Sequence, residues 1–293
     1  MTHVDTAPAS RPPLGIGALI STSFSILFRR FWLFLLLGLL AILGYILVAG
    51  LLFGLTITGA SGVGTLLDGN ASAFATTAGP GVLGIVLLIG FFLVATFTHA
   101  YQTAAGHDEF QGDHRSWSHY LRVGWRRMVP LLSVYLVSLI VVGLALYGIV
   151  ALLLAVGLPA WLIALVVTAG MLGVLVILSL AVPAVVVERR WFSAFGRAWN
   201  LSRDYRGPIV GFLIAMFAVV IGLVLVIGGL LGGLAAVVGP DGIATVFVAI
   251  QALQFALQIL VTALFLIGYA VLFARLRAIK EGVRSDDLVA AFD

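Results

Sequence analysis

From Arg126 to Arg190 the chain reads RRMVPLLSVYLVSLIVVGLALYGIVALLLAVGLPAWLIALVVTAGMLGVLVILSLAVPAVVVERR, with no charged side chain between Arg127 and Glu188. Two apolar runs, 129–156 and 161–187, flank Leu158-Pro159-Ala160. Each exceeds the roughly 20 residues that a helix needs to cross a hydrocarbon core. A connection as short as Leu158-Pro159-Ala160 turns the chain straight back. Arginines therefore stand at both outer ends of one helical hairpin, and by the positive-inside rule those ends face the cytoplasm.

Working outward, the same pattern recurs at 31–56 with 82–105, and at 209–238 with 243–273. All sixteen Lys and Arg residues fall in four clusters that separate the hairpins. They are Arg11, Arg29 and Arg30; Arg115, Arg122, Arg126 and Arg127; Arg189, Arg190, Arg197, Arg203 and Arg206; and Arg275, Arg277, Lys280 and Arg284. The opposite side carries only Asp68 and Asp241, so the net charge of +4 divides into +6 inside and −2 outside. The expected fold is all-α: a polytopic membrane protein with six transmembrane helices in three hairpins and both termini in the cytoplasm. An outer-membrane barrel is excluded because the segments lack dyad alternation. Hydrophobic residues make up 62% of the chain and charged ones 10%, and the mean hydropathy is +1.20, well outside the range of soluble domains. The run from Phe31 to Leu55 is too long for a signal peptide and reads as a retained first span. Zero cysteines removes disulfides, thiolate metal sites and a cysteine nucleophile together.

The division expected is a disordered cytoplasmic tail over 1–13, a membrane domain over 14–274 and a cytoplasmic tail over 275–293. Each hairpin is introduced by a cytoplasmic amphipathic segment, which points to three repeats, 14–111, 112–188 and 189–274. Ile16, Ile20, Phe24, Leu27 and Phe28 share one helical face in the first segment. Trp117, Tyr120, Leu121, Trp125 and Met128 do so in the second, and Trp191, Phe195, Ala198 and Trp199 in the third. Aromatics on one side and arginines on the other suit helices lying in the membrane interface. The last two spans, about 30 residues each, must tilt or bend, and Pro183 is placed to kink the fourth. Gly50-x-x-x-Gly54, Gly228-x-x-x-Gly232 and Gly229-x-x-x-Gly233 read as places of close helix approach. Ile57 to Gly81 reads as a flexible outer loop, and Gly239 to Gly242 as a tight outer turn.

The stretch from Pro183 through Glu188 to Ala194-Phe195-Gly196-Arg197-Ala198-Trp199-Asn200-Leu201-Ser202-Arg203 resembles a motif of the glycerophosphoryl diester phosphodiesterase membrane-domain family. Leu276-Arg277-Ala278-Ile279-Lys280-Glu281-Gly282 is similar to the closing signature of that family, and Thr22 to Trp32 fits its opening. Arg275 stands where that signature carries Asp, and Ile279 where it carries a second Arg. The resemblance implies a bacterial inner-membrane protein with a role in lipids or the envelope. The soluble catalytic barrel of the relatives that give the family its name has no counterpart here, so the resemblance is to the membrane part alone.

Candidate chemistry is sparse. His107, His114 and His119, with Asp108, Glu109 and Asp113, offer ligands that suit zinc or manganese, but their spacing matches no metallohydrolase motif. Gln251, Gln254 and Gln258 form a polar stripe in the sixth span, expected either to hydrogen-bond between helices or to line a polar path. His99 and Gln102 could contribute to either. No charged residue lies deep in a span, which argues against an ion-coupled pump or a voltage sensor. Phosphate-loop, nucleophile-elbow and dinucleotide signatures are missing. The reading is therefore non-enzymatic, without cofactor or nucleic acid. Arg29, Arg30, Arg126, Arg127, Arg203 and Arg206 are expected on membrane phospholipid headgroups, with Trp32, Trp117, Trp125, Trp191 and Trp199 as interfacial anchors. A transporter, a metal-dependent enzyme and a scaffold for copies of itself or other membrane proteins are the alternatives.

Overall fold

The computed structural model describes residues 14–58, 79–238 and 243–281. The 1–13 tail, most of the outer loop with Asp68, the Gly239 to Gly242 turn with Asp241, and the tail beyond 281 lie outside the described residues. Eight helices account for nearly everything described: α1 (Ile16–Arg29), α2 (Phe31–Thr58), α3 (Gly79–Gln111), α4 (Trp117–Ala155), α5 (Ala160–Val186), α6 (Ser193–Ser202), α7 (Arg206–Val238) and α8 (Ile243–Glu281). Among the described residues there is no strand. Five helices, α2, α4, α5, α7 and α8, are long and apolar enough to cross a membrane. In hydrocarbon every backbone N–H and C=O must be paired within its own segment, which is why such sequences resolve into helices.

The α4–α5 turn forms as its residues dictate. Gly157 adopts φ 76, the left-handed position that ends many helices and that a side chain disfavours. Leu158 N–H then returns to the Leu153 carbonyl at 3.1 Å. Pro159 precedes α5 with φ −64 and ψ 145, so its missing N–H is not needed.

The amphipathic segments depart from expectation in two ways. The second is no separate helix: residues 117–128 are the first turns of α4, which runs unbroken through Pro130 and is 39 residues long in all. Nothing between Trp117 and Val129 breaks a helix, and the proline removes a single backbone donor. The first segment is a separate helix, but its buried face is Leu19, Ser23, Ile26 and Leu27, while Phe28 is exposed. This turns α1 toward α7 and α8 rather than toward lipid alone. Ser23 meets the bundle there because its hydroxyl bonds back to the Leu19 carbonyl at 2.8 Å and Gly268 on α8 leaves room for it.

The helices pack around α3 and α8: α3 contacts α1, α2, α4, α5 and α8, and α8 contacts every helix but α4 among those with substantial packing. Burial concentrates toward the end that bears the arginines. On α8, Ala263, Ile267, Ala270 to Phe273 and Leu276 are buried, whereas Leu253 and Phe255 are exposed. On α5, Ser179 to Val186 are buried and Leu165, Val166 and Met171 are not. Among the described residues the close approaches are made by glycines outside the expected G-x-x-x-G pairs, of which Gly54 and Gly232 have surroundings that are not described. A Cβ at Gly38 would collide with Ile259, one at Gly90 with Val48, and one at Gly106 would press on the backbone of Ile267. Around Gly50, Gly228, Gly229 and Gly233 the space is open. Spacing alone does not say which face of a helix turns inward.

Candidate functional site

Ion pairs draw the four basic clusters to one end of the bundle. Glu109, at the end of α3, is almost wholly buried and accepts Arg29 at 3.1 Å, Arg30 at 3.0 Å and His114 at 3.2 Å. Arg29 also donates to the Glu109 carbonyl at 2.9 Å. A buried carboxylate needs such partners, since an unpaired one would pay its full desolvation penalty. Two arginines expected on lipid phosphate are thus engaged by a carboxylate on another helix, although both keep exposed guanidinium surface.

A second carboxylate, Glu188, follows α5. It accepts Arg190 at 2.8 Å and takes Arg197 of α6 through both oxygens, at 2.8 and 3.0 Å. Arg197 also pairs with Glu281 at the end of α8, and Arg277 bonds to Glu281 at 3.0 Å. Lys280 joins the same surface through Asp204 at 3.0 Å and the Asn200 carbonyl at 2.6 Å. A bidentate Arg–carboxylate pair fixes orientation as well as charge, so this cluster clamps α6 between α5 and α8. Glu188, Arg197, Arg277 and Glu281 all belong to the segments that carry the family resemblance.

Around these clusters lies a rim of exposed tryptophan and arginine. Trp32, Trp117, Trp125, Trp191 and Trp199 are between 48% and 71% exposed. Arg126 is exposed beside Trp125, and Arg203 and Arg206 are exposed beyond α6. Arg206 stacks on Trp199 at 3.9 Å. Among the described residues, Arg126, Arg127 and Arg203 form no ion pair or hydrogen bond, and Arg206 has only its tryptophan.

The three histidines are dispersed. His107 is buried on α3, His114 is exposed on Glu109, and His119 lies edge-on to Tyr120 with ring centroids 5.6 Å apart. Among the described residues no three His, Asp or Glu side chains come together as a metal site. His107 and His119 do share a cavity with Asp108, Arg115, Arg127 and Arg189. In the polar stripe, Gln254 and Gln258 are exposed on the bundle surface, and the Gln251 side chain lies outside the described residues. His99 instead bonds Tyr135 of α4 at 2.6 Å, while Gln102 is buried with Oε1 unpartnered among the described residues.

Of three residues that organise this end, Glu188 and Glu281 are not predicted site residues, and Glu109 is named from the sequence only as a possible metal ligand. Their signal in the sequence is positional: each is an acid at or just beyond the arginine-bearing end of a long apolar run, in a chain with only 12 acids. Comparisons with models of known protein families, with curated proteins and with solved structures find no match.

Proposed function

We propose that the chain is a non-enzymatic, six-span protein of the bacterial inner membrane, arranged as three hairpins with both termini in the cytoplasm. Its cytoplasmic rim engages anionic phospholipid. The role that follows is organising or moving lipid, or supporting the envelope, in keeping with the resemblance to the glycerophosphoryl diester phosphodiesterase membrane-domain family. The span that brings the five to six in this reading is α3, second in chain order, whose 33 residues and apolar 82–105 stretch are sufficient to cross.

The observation that carries the reading is the rim itself. Exposed tryptophans beside arginines that no carboxylate neutralises suit the interface, where an indole sits among headgroups and a guanidinium meets lipid phosphate. Arg126, Arg203 and Arg206 remain available for this, whereas Arg29 and Arg30 act first as partners of Glu109. Native mass spectrometry on protein released gently from its membrane tests it. Retained phosphatidylglycerol or cardiolipin is the expected result, and Arg126→Glu with Arg206→Glu should reduce it. A basic residue near an anionic surface contributes about 1 kcal/mol, so at least a fivefold loss is expected. Equal retention by the double variant would remove the rim from lipid binding.

A further inference from the structure

Where the ends of α3, α4 and α5 meet, they enclose a cavity of about 180 Å³ lined by His107, Asp108, Arg115, His119, Arg127 and Arg189. This is below the roughly 300 Å³ at which pockets begin to hold drug-sized molecules, so its occupant is a small group or one end of a larger molecule. The lining has three guanidinium groups and one carboxylate. Asp108 is already met by Arg115 at 3.4 Å, and Arg115 also reaches Asp113 at 3.5 Å. Arg127 and Arg189 are left without ion pair or hydrogen bond among the described residues, close enough for their like charges to act on one another.

Two further features converge here. Arg189 adopts φ 58, and among the described residues it is the one non-glycine side chain with positive φ. The chain leaves α5 through it, with Arg190 N–H returning to the Ala184 carbonyl at 3.3 Å. Helix exits of this kind usually place glycine in the left-handed position, so an arginine there holds its guanidinium at the price of strain. His107 is only 5% exposed, and its Nδ1 has no partner among the described residues. Burial, followed by the charge of Arg277, lowers its pKa to about 4. The imidazole is therefore neutral at pH 7.

Facing like charges, a strained backbone and an unmet buried hydrogen bond each oppose folding, and local rules are broken together mainly where function requires it. An anion between Arg127 and Arg189 relieves the first. Guanidinium forks match the oxygens of a phosphate group better than a point charge does. We propose that this cavity, lined also by the neutral imidazole of His107, is a phosphate-binding site in which Arg127 and Arg189 clamp the phosphoryl oxygens. The phosphate is either that of a soluble phosphate ester or that of a lipid headgroup, and the site does not depend on the rim of exposed tryptophans.

The test uses the full chain in detergent, wild type and the variants Arg189→Gly and Arg127→Gln. Thermal stability is measured in sodium phosphate against sodium chloride at equal ionic strength, and in micelles containing phosphatidylglycerol against phosphatidylcholine. Without anion, both variants should be at least as stable as wild type, since one removes backbone strain and the other a charge repulsion. Wild type should show a saturable gain in Tm with phosphate or with phosphatidylglycerol, and each variant should need at least tenfold more of it. A response to phosphate identifies a soluble ligand; a response to phosphatidylglycerol alone identifies the headgroup. Variants that unfold in the absence of anion, or that respond as wild type does, would overturn the site. The Arg126→Glu and Arg206→Glu variant separates the two readings: lipid loss there with full response in Arg189→Gly leaves the rim standing and the cavity refuted, and the converse leaves the cavity.

Discussion

Glu109 and His107 sit two positions apart near the end of α3, and burial has opposite consequences for them. The carboxylate is held by two arginines, at 3.1 and 3.0 Å, whereas the imidazole is kept uncharged. Neither outcome is legible in the local sequence, where both belong to an apparently solvated run of polar residues. The partner of Glu109 lies 80 positions away in Arg29, a separation that no helical periodicity encodes. His107 supplies a prediction with a definite sign. Its folded-state pKa is about 4 against about 6.5 when unfolded, so between those values the unfolded chain binds more protons. Stability contributed by the neutral imidazole is fully present above pH 6.5 and is lost as the pH falls toward 4. In chloride buffer, His107→Gln should flatten that part of the Tm–pH profile, by roughly 3 kcal/mol at most. A variant that follows the wild-type slope through this window would show that another group titrates there.

Among the elements, the long apolar helices were readable because hydrocarbon admits few other structures. Their boundaries were less so. Amphipathicity identifies α6 as a helix but assigns Arg197 to its solvent face, whereas it is 18% exposed and bonded to Glu188 and Glu281. The hydrophobic pattern cannot show this, because an arginine with two carboxylates is as well accommodated as a leucine against apolar neighbours. Ala194, Ala198 and Leu201 complete the buried face, and small side chains there let α6 lie close to α5. The ion pairs consequently account for much of the hold on a ten-residue helix that is too short to persist alone. Arg197→Gln should accelerate hydrogen exchange across 193–202 by at least tenfold while α5 and α8 retain their protection. Arg197→Lys should fall between, since lysine cannot reproduce the bidentate contact. Unchanged exchange in Arg197→Gln would assign the hold to apolar packing instead.

For the whole molecule, charge placement was the most legible property. Ion pairs and the shared cavity bring together residues from all four basic clusters, while the choice of contacting faces depended on glycines that the G-x-x-x-G spacing did not select. The proposed topology can be checked directly because the chain has no cysteine. Single substitutions Ser118→Cys and Ser72→Cys should react with a membrane-impermeant maleimide from opposite sides, the first only after the inner face is opened and the second in intact cells. Labelling of both from the same side would refute the hairpin arrangement. A last consequence follows from the central place of α8. Helices α1, α2, α3, α5, α6 and α7 all lean on it, yet it is synthesised after every one of them. Until α8 leaves the ribosome and enters the bilayer, the faces of those helices that pack on it have no partner, even though α3 with α4 and α5 with α6 can already pack together. Nascent chains that stall before residue 243 should therefore be recognised by membrane quality control as unassembled, whatever the state of their earlier helices.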